Sequence, residues 1–144
     1  AYLKLHGNAN EAMEFYKDVF NGEFLAVLRD GDDAEQARAL SDEDKQKIAF
    51  MTLNIGHGTT LMASDIIGPD AKKLVDGNNV YIYVNVESEQ ELDDVYAKLI
   101  KGARVLNEPA NTPWGGYFCE LVDIYGISWI VNFQRDLGPL SHRP

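Results

Sequence analysis

The stretch EAMEFYKDVFNG at residues 11–22 returns 80 residues further on as ELDDVYAKLIKG at residues 91–102. Glu11 matches Glu91, Tyr16 matches Tyr96, Val19 matches Leu99, Phe20 matches Ile100 and Gly22 matches Gly102. In each copy the apolar residues recur three and four positions apart, which lines one face of a helix. A glycine follows each, where a left-handed residue costs least. The neighbourhoods match as well. YLKLHG alternates Leu3 and Leu5 with polar residues, as a half-buried strand does, and Asn8 or Asn10 can cap the helix after it. VYIYVNVE puts Val80, Ile82, Val84 and Val86 on one face and Tyr81, Tyr83 and Asn85 on the other. Ser88 and Glu91 then form a capping box.

Three strand signals follow each helix. In the first half they are EFLAVLR and two runs, Ile48 to Ile55 and Thr59 to Ala63, joined by a hairpin through Gly56-His57-Gly58. Asp30 to Lys47 is an acidic surface excursion in which Ser41 and Asp44 resemble a short capped turn. In the second half they are ARVLNE, Tyr117 to Val122 and Ile127 to Phe133, with ANTPWGG as a loop. The pattern is β-α-β-β-β twice, an α+β fold. It forms a single domain with modules at about 1–65 and 79–134, a linker at 66–78 and a tail at 135–144. Each helix covers one face of its sheet and leaves the other free. Two such sheets facing each other enclose a cup suited to a small ligand.

Composition narrows the partners. With 144 residues the chain is one typical domain, and 45% apolar with 25% charged residues is globular. A net charge of −10 repels phosphate backbones, so nucleic acid is not expected as a partner. No apolar run is long enough for a membrane span, so no membrane is expected either, and no signal peptide is visible. The lone Cys119 cannot close an internal disulfide, which fits the cytoplasm.

The segments YLKLHGNANEAMEFYKDVFNGEF, LNIGHGTTLMASD, NNVYIYVNVES and LVDIYGISWIVNF cover nearly the whole chain. In that order they resemble the PhnB-like branch of the glyoxalase/bleomycin-resistance (vicinal oxygen chelate) superfamily. The resemblance implies paired βαβββ modules forming a curved sheet with a cup, and a homodimer. It also implies a divalent metal, held by His, Glu or Gln on the first and third strands of each module. Carried over by motif, those positions fall at Ala1 or Tyr2, at Tyr81, at Phe50 and at Ile130, seven residues beyond Asp123. None of these offers an imidazole or a carboxylate. A slip of one residue on the third strands brings in Ala49 or Met51 and Trp129 or Val131, which do no better. No metal site and no cofactor are therefore expected.

The remaining candidates each carry two readings. His6 shares parity with Tyr2 and Lys4, so it is either a strand-end histidine or a base at the rim of the cup. Glu120 is either a solvent-facing strand residue or a general base, and Cys119 is a packed thiol or a nucleophile. His57 belongs to a hairpin tip and His142 to the tail. Asp123 caps its own turn, and Trp129, Tyr16 and Tyr96 are core. For the ligand pocket the candidates are Phe50, Thr52, Tyr81, Tyr83, Trp114 and Ile130.

The leading expectation is a small-molecule-binding protein without the customary metal site. One alternative is a divalent-metal-dependent lyase, transferase or dioxygenase with displaced ligands such as His6 and Glu120. Another is an antibiotic-sequestering binder of the bleomycin-resistance type. Some relatives are called ubiquinone methyltransferases, but the chain has no glycine-rich strand-to-helix loop of the kind a nucleotide-like cofactor needs. No basic cluster suits a phosphonate either.

Overall fold

The computed structural model describes residues 1–135. Two compact units divide between Val75 and Asp76. The first contains strand β1 (Tyr2–Leu5), helix α1 (Ala9–Phe20) and strand β2 (Glu23–Arg29). The short helices α2 (Ala34–Ala37) and α3 (Asp42–Lys45) precede strands β3 (Ile48–Gly56) and β4 (Thr59–Asp65). The second contains β5 (Ile82–Asn85), α4 (Glu89–Leu99), β6 (Arg104–Asn111), β7 (Gly116–Val122) and β8 (Ser128–Gln134). The sheets have one connectivity, β1-β4-β3-β2 and β5-β8-β7-β6, with the first strand parallel to the last. The expected βαβββ repeat is present in both halves. Among the described residues no helix is long and apolar enough to cross a membrane.

In the first unit α1 presses Ala12, Met13, Tyr16 and Val19 onto Leu3, Leu5, Met51, Leu53, Leu61 and Ala63, all buried. In the second, α4 presses Leu92, Val95 and Leu99 onto the face of Val84, Val86, Cys119, Leu121, Trp129 and Val131. Because side chains alternate along a strand, the residues between these point away from the helix, to a face that no helix of their own unit covers.

Equivalent ends of the two helices are built differently. Ser88 caps α4 as expected, its Oγ accepting the Glu91 amide at 3.0 Å. The Glu91 carboxylate reaches one residue further back than a capping box requires, to the Glu87 amide at 3.1 Å. Asn8 stands at the cap of α1 but makes no side-chain cap bond. Asp65, at the end of β4, does this instead: its Oδ1 accepts from the Ala9 amide at 2.8 Å and its Oδ2 from the Ile48 amide at 2.9 Å. At the C-terminal ends, Gly102 is left-handed at φ +73°, but after α1 the left-handed residue is Asn21. Gly22 is needed for a different reason, because a Cβ there would stand 2.5 Å from the Asn54 carbonyl oxygen.

Three further expectations are corrected. The first strand of the second unit begins at Ile82, so Tyr81 precedes it, and Val80 is 78% exposed rather than part of the helix-facing row. β6 continues through Pro109 to Asn111, because an edge strand can point a missing N–H outward. Ile130 lies on the fourth strand of its module, β8, while Phe50 lies on the third, β3; the two are not equivalent positions. The hairpin through His57 and the capped turn at Ser41 form as expected.

Candidate functional site

The strand registers define one row across the open face of each sheet. In the first unit Tyr2 pairs with Met62, Met62 with Thr52, and Thr52 with Ala26. Beside this row Phe50 pairs with Leu28, which is 53% exposed, and the rings of Tyr2 and Phe50 are 6.4 Å apart. The result is a largely apolar plate of two aromatic rings, a thioether and an aliphatic side chain, interrupted by the Thr52 hydroxyl.

In the second unit the corresponding row is Tyr83, Ile130, Glu120 and Asn107. Tyr83 is 54% exposed. Glu120 is half-buried, and its Oε1 accepts a hydrogen bond from Asn107 Nδ2 at 2.7 Å. In the next row Asn132 Nδ2 donates to Asn85 Oδ1 at 3.2 Å, beside Phe118. This face is mixed: a carboxylate and three carboxamides set among aromatic and aliphatic groups.

Of the pocket candidates, Tyr83 and Ile130 share a row with Glu120, while Phe50 and Thr52 lie on neighbouring rows of the other unit. Trp114 stands on the turn between β6 and β7, 64% exposed, its carbonyl accepting from Gln134 Nε2 at 3.1 Å. His6 is exposed one residue beyond β1, in a different unit from Glu120. His142 lies outside the described residues. Sequence reasoning missed Asn107 and Leu28. Register shifts in β2 and β6 interrupt the alternation that would have assigned their faces.

Cys119 turns to the helix side and is fully buried; burial pushes its thiol up to about 12, which leaves it protonated and inert at neutral pH. Asp123 is buried, and its Oδ1 accepts from the amides of Tyr125 at 2.8 Å and Ile127 at 3.1 Å. Trp129 is core. Both follow the expectation from sequence.

The superfamily's metal does not fit these donors. Tyr2 with Met62, and Tyr83 with Ile130, occupy the paired first- and fourth-strand positions, and Thr52 and Glu120 are the third-strand neighbours. Two phenols, a thioether, an alkyl group and a hydroxyl are poor partners for a divalent ion, and one carboxylate does not make a site. Among the described residues no group of three or more His, Cys, Asp or Glu is placed to hold a metal.

With two βαβββ units and open sheet faces, the fold is that of the glyoxalase/bleomycin-resistance superfamily. Within it, the chain belongs to the family described as 3-demethylubiquinone-9 3-methyltransferase, whose model matches residues 1–132. Among solved structures it is similar to protein PA1353 from Pseudomonas aeruginosa, at 29% identity and a TM-score of 0.77, over 94% of this chain and 96% of that one. It is also similar to a putative 3-demethylubiquinone-9 3-methyltransferase, PhnB protein, from Bacillus cereus, at 25% identity and 0.70, over 92% and 96%. A glyoxalase/bleomycin resistance protein/dioxygenase family enzyme from Burkholderia phytofirmans shares the fold, at 13% identity and 0.62, over 94% and 96%. The branch expected from the residues is therefore PhnB-like, as read. The family's name implies a methyl donor, and the chain's strand-to-helix turns do not fit a nucleotide-type one. His6-Gly7-Asn8 offers one glycine and Glu87-Ser88 none.

Proposed function

We propose that this protein binds a small, largely apolar molecule on the open faces of its sheets, without a divalent metal at the superfamily's positions. The observation that carries this reading is the plate formed by Tyr2, Met62, Phe50 and Leu28. It is a set of large apolar side chains on the sheet face turned away from α1, with the Tyr2 and Phe50 rings 6.4 Å apart. Such surfaces with a few polar groups among them suit ligands more than solvent. The phenol and thioether in place of ligating groups support a metal-independent role. The working unit is read as a homodimer, since β2 and β6 are open edges and Leu25 on β2 is exposed. The cytoplasm suits its single buried thiol.

The test is an amide chemical-shift titration of chelator-treated protein with neutral aromatic fragments. The expected result is shifts clustered at Ala26, Phe50, Thr52 and Met62, weakened by Phe50→Ala. Shifts confined to other surfaces, or binding that requires an added divalent ion, overturn the reading. Sedimentation velocity tests the dimer.

A further inference from the structure

We propose that Glu120 receives the cationic group of the ligand, a primary ammonium or a guanidinium, while the ligand's aromatic or aliphatic body lies over Ile130 and Tyr83. This rests on reading the open faces as ligand surfaces, and it names the chemical class that the second of them selects.

Three observations converge on it. Glu120 sits mid-strand, with Ile130 on one side and Asn107 on the other, so it stands at the centre of the face rather than at its margin. The Asn107 carboxamide bonds only Oε1, at 2.7 Å; among the described residues Oε2 has no partner. A fixed carboxylate with one oxygen unused can accept a donor without first losing side-chain freedom, which is where preorganised sites gain affinity. Third, among the described residues Glu120 forms no ion pair, although Arg104 stands on the same face. Arg104 pairs with Val122 one row away and forms no ion pair among the described residues. Beside Glu120, Ile130 and the half-exposed Tyr83 supply an apolar floor with one aromatic face, on which a cation-bearing ring can rest.

The protein's overall charge of −10 works in the same direction, enriching cations near the surface. Thr52 holds the corresponding place in the first unit, between Met62 and Ala26, and supplies no charge. The cationic end is therefore assigned to the second unit alone.

The experiment compares phenethylamine, a cation at neutral pH, with the neutral phenethyl alcohol, by amide chemical-shift titration of the full chain. The wild-type protein is expected to bind the amine about tenfold tighter at low salt, with the preference shrinking as salt is added. Glu120→Gln should abolish that preference, the amine losing at least several-fold more affinity than the alcohol. Tyr83→Ala should weaken both compounds alike. Equal binding of the two compounds by the wild-type protein, or a preference that survives in Glu120→Gln, overturns the cation assignment while the open-face reading stands. Binding of neither compound at this face overturns the cation assignment, whereas the open-face reading falls only if no shifts appear at Phe50, Thr52 and Met62 either. If Glu120→Gln fails to fold, the salt-dependent preference of the wild-type protein decides the matter.

Discussion

Trp129 Nε1 donates to Asp123 Oδ2 at 2.8 Å in the buried interior of the second unit, tying the start of β8 to the turn that precedes it. The other oxygen of the same carboxylate accepts the amides of Tyr125 and Ile127. Asp123→Ala leaves a buried indole N–H and two turn amides without these acceptors. The expected cost is about 3 kcal/mol, read as a lower urea midpoint. A cost below about 1 kcal/mol would show that water replaces the carboxylate at no penalty.

The asymmetry of the caps predicts an order of effects. Ser88→Ala loses one cap bond and should cost about 1 kcal/mol. Asp65→Ala removes acceptors from both α1 and β3 and should cost more, about 2 kcal/mol. Asn8→Ala, at a cap that makes no side-chain bond, should cost least of the three. Thermal denaturation of the three variants checks the ranking.

Stability should fall in alkali. The Asp93 carboxylate, accepting the Tyr117 hydroxyl at 2.7 Å, and burial push that phenol from an ordinary 10.0 up to about 12; burial pushes Cys119 from 9.0 up to about 12. Each group keeps its proton longer when folded than when unfolded. The stability they contribute is whole below pH 9.0 and is lost as the pH climbs toward about 12. Melting temperature against pH should therefore decline from pH 9.0, and in Cys119→Ala the decline should start nearer 10.0. An unchanged profile in that variant contradicts the assignment.

Asp30 works against the fold at neutral pH. Its Oδ2 is buried without a hydrogen-bond partner, and burial, then the charges of Asp65 and Asp44, raise its pKa above the ordinary 3.8. A carboxyl raised in the folded state loses stability as the pH rises past its unfolded value. Asp30→Asn is expected to raise the melting temperature at pH 7 by roughly 2–4 °C. It should also flatten the gain that the wild-type protein shows on mild acidification. A lower melting temperature would mean that the carboxylate has a favourable role.

Most of the architecture was legible because it depends on short-range patterns. The three- and four-residue spacing around Tyr16 and Tyr96, and the glycine-flanked His57, need nothing distant to be read. Features that depend on partners far along the chain were not. Asp65 caps a helix that begins 56 residues earlier, and Gly22 is required by the carbonyl of Asn54; neither constraint leaves a local mark. The offset of 80 residues was sound for the helices but misled on the strands, because the 18-residue excursion from Asp30 to Lys47 has no counterpart in the second half. Phe50 and Ile130, 80 residues apart, accordingly fall on a third and a fourth strand. Glu120 was legible as a candidate, but its partner was not, since bulges in β6 hide the side to which Asn107 turns.

The pairing of Thr52 in one row with Glu120 in the other means that the halves, though alike in connectivity, are not interchangeable parts. A chimera carrying the first half twice would present two greasy plates and no anion. One carrying the second half twice would gain a duplicate carboxylate and lose the Tyr2–Phe50 ring pair. The repeated connectivity supplies a common frame, and the outward residues Thr52 and Glu120 give its two open faces different chemistry.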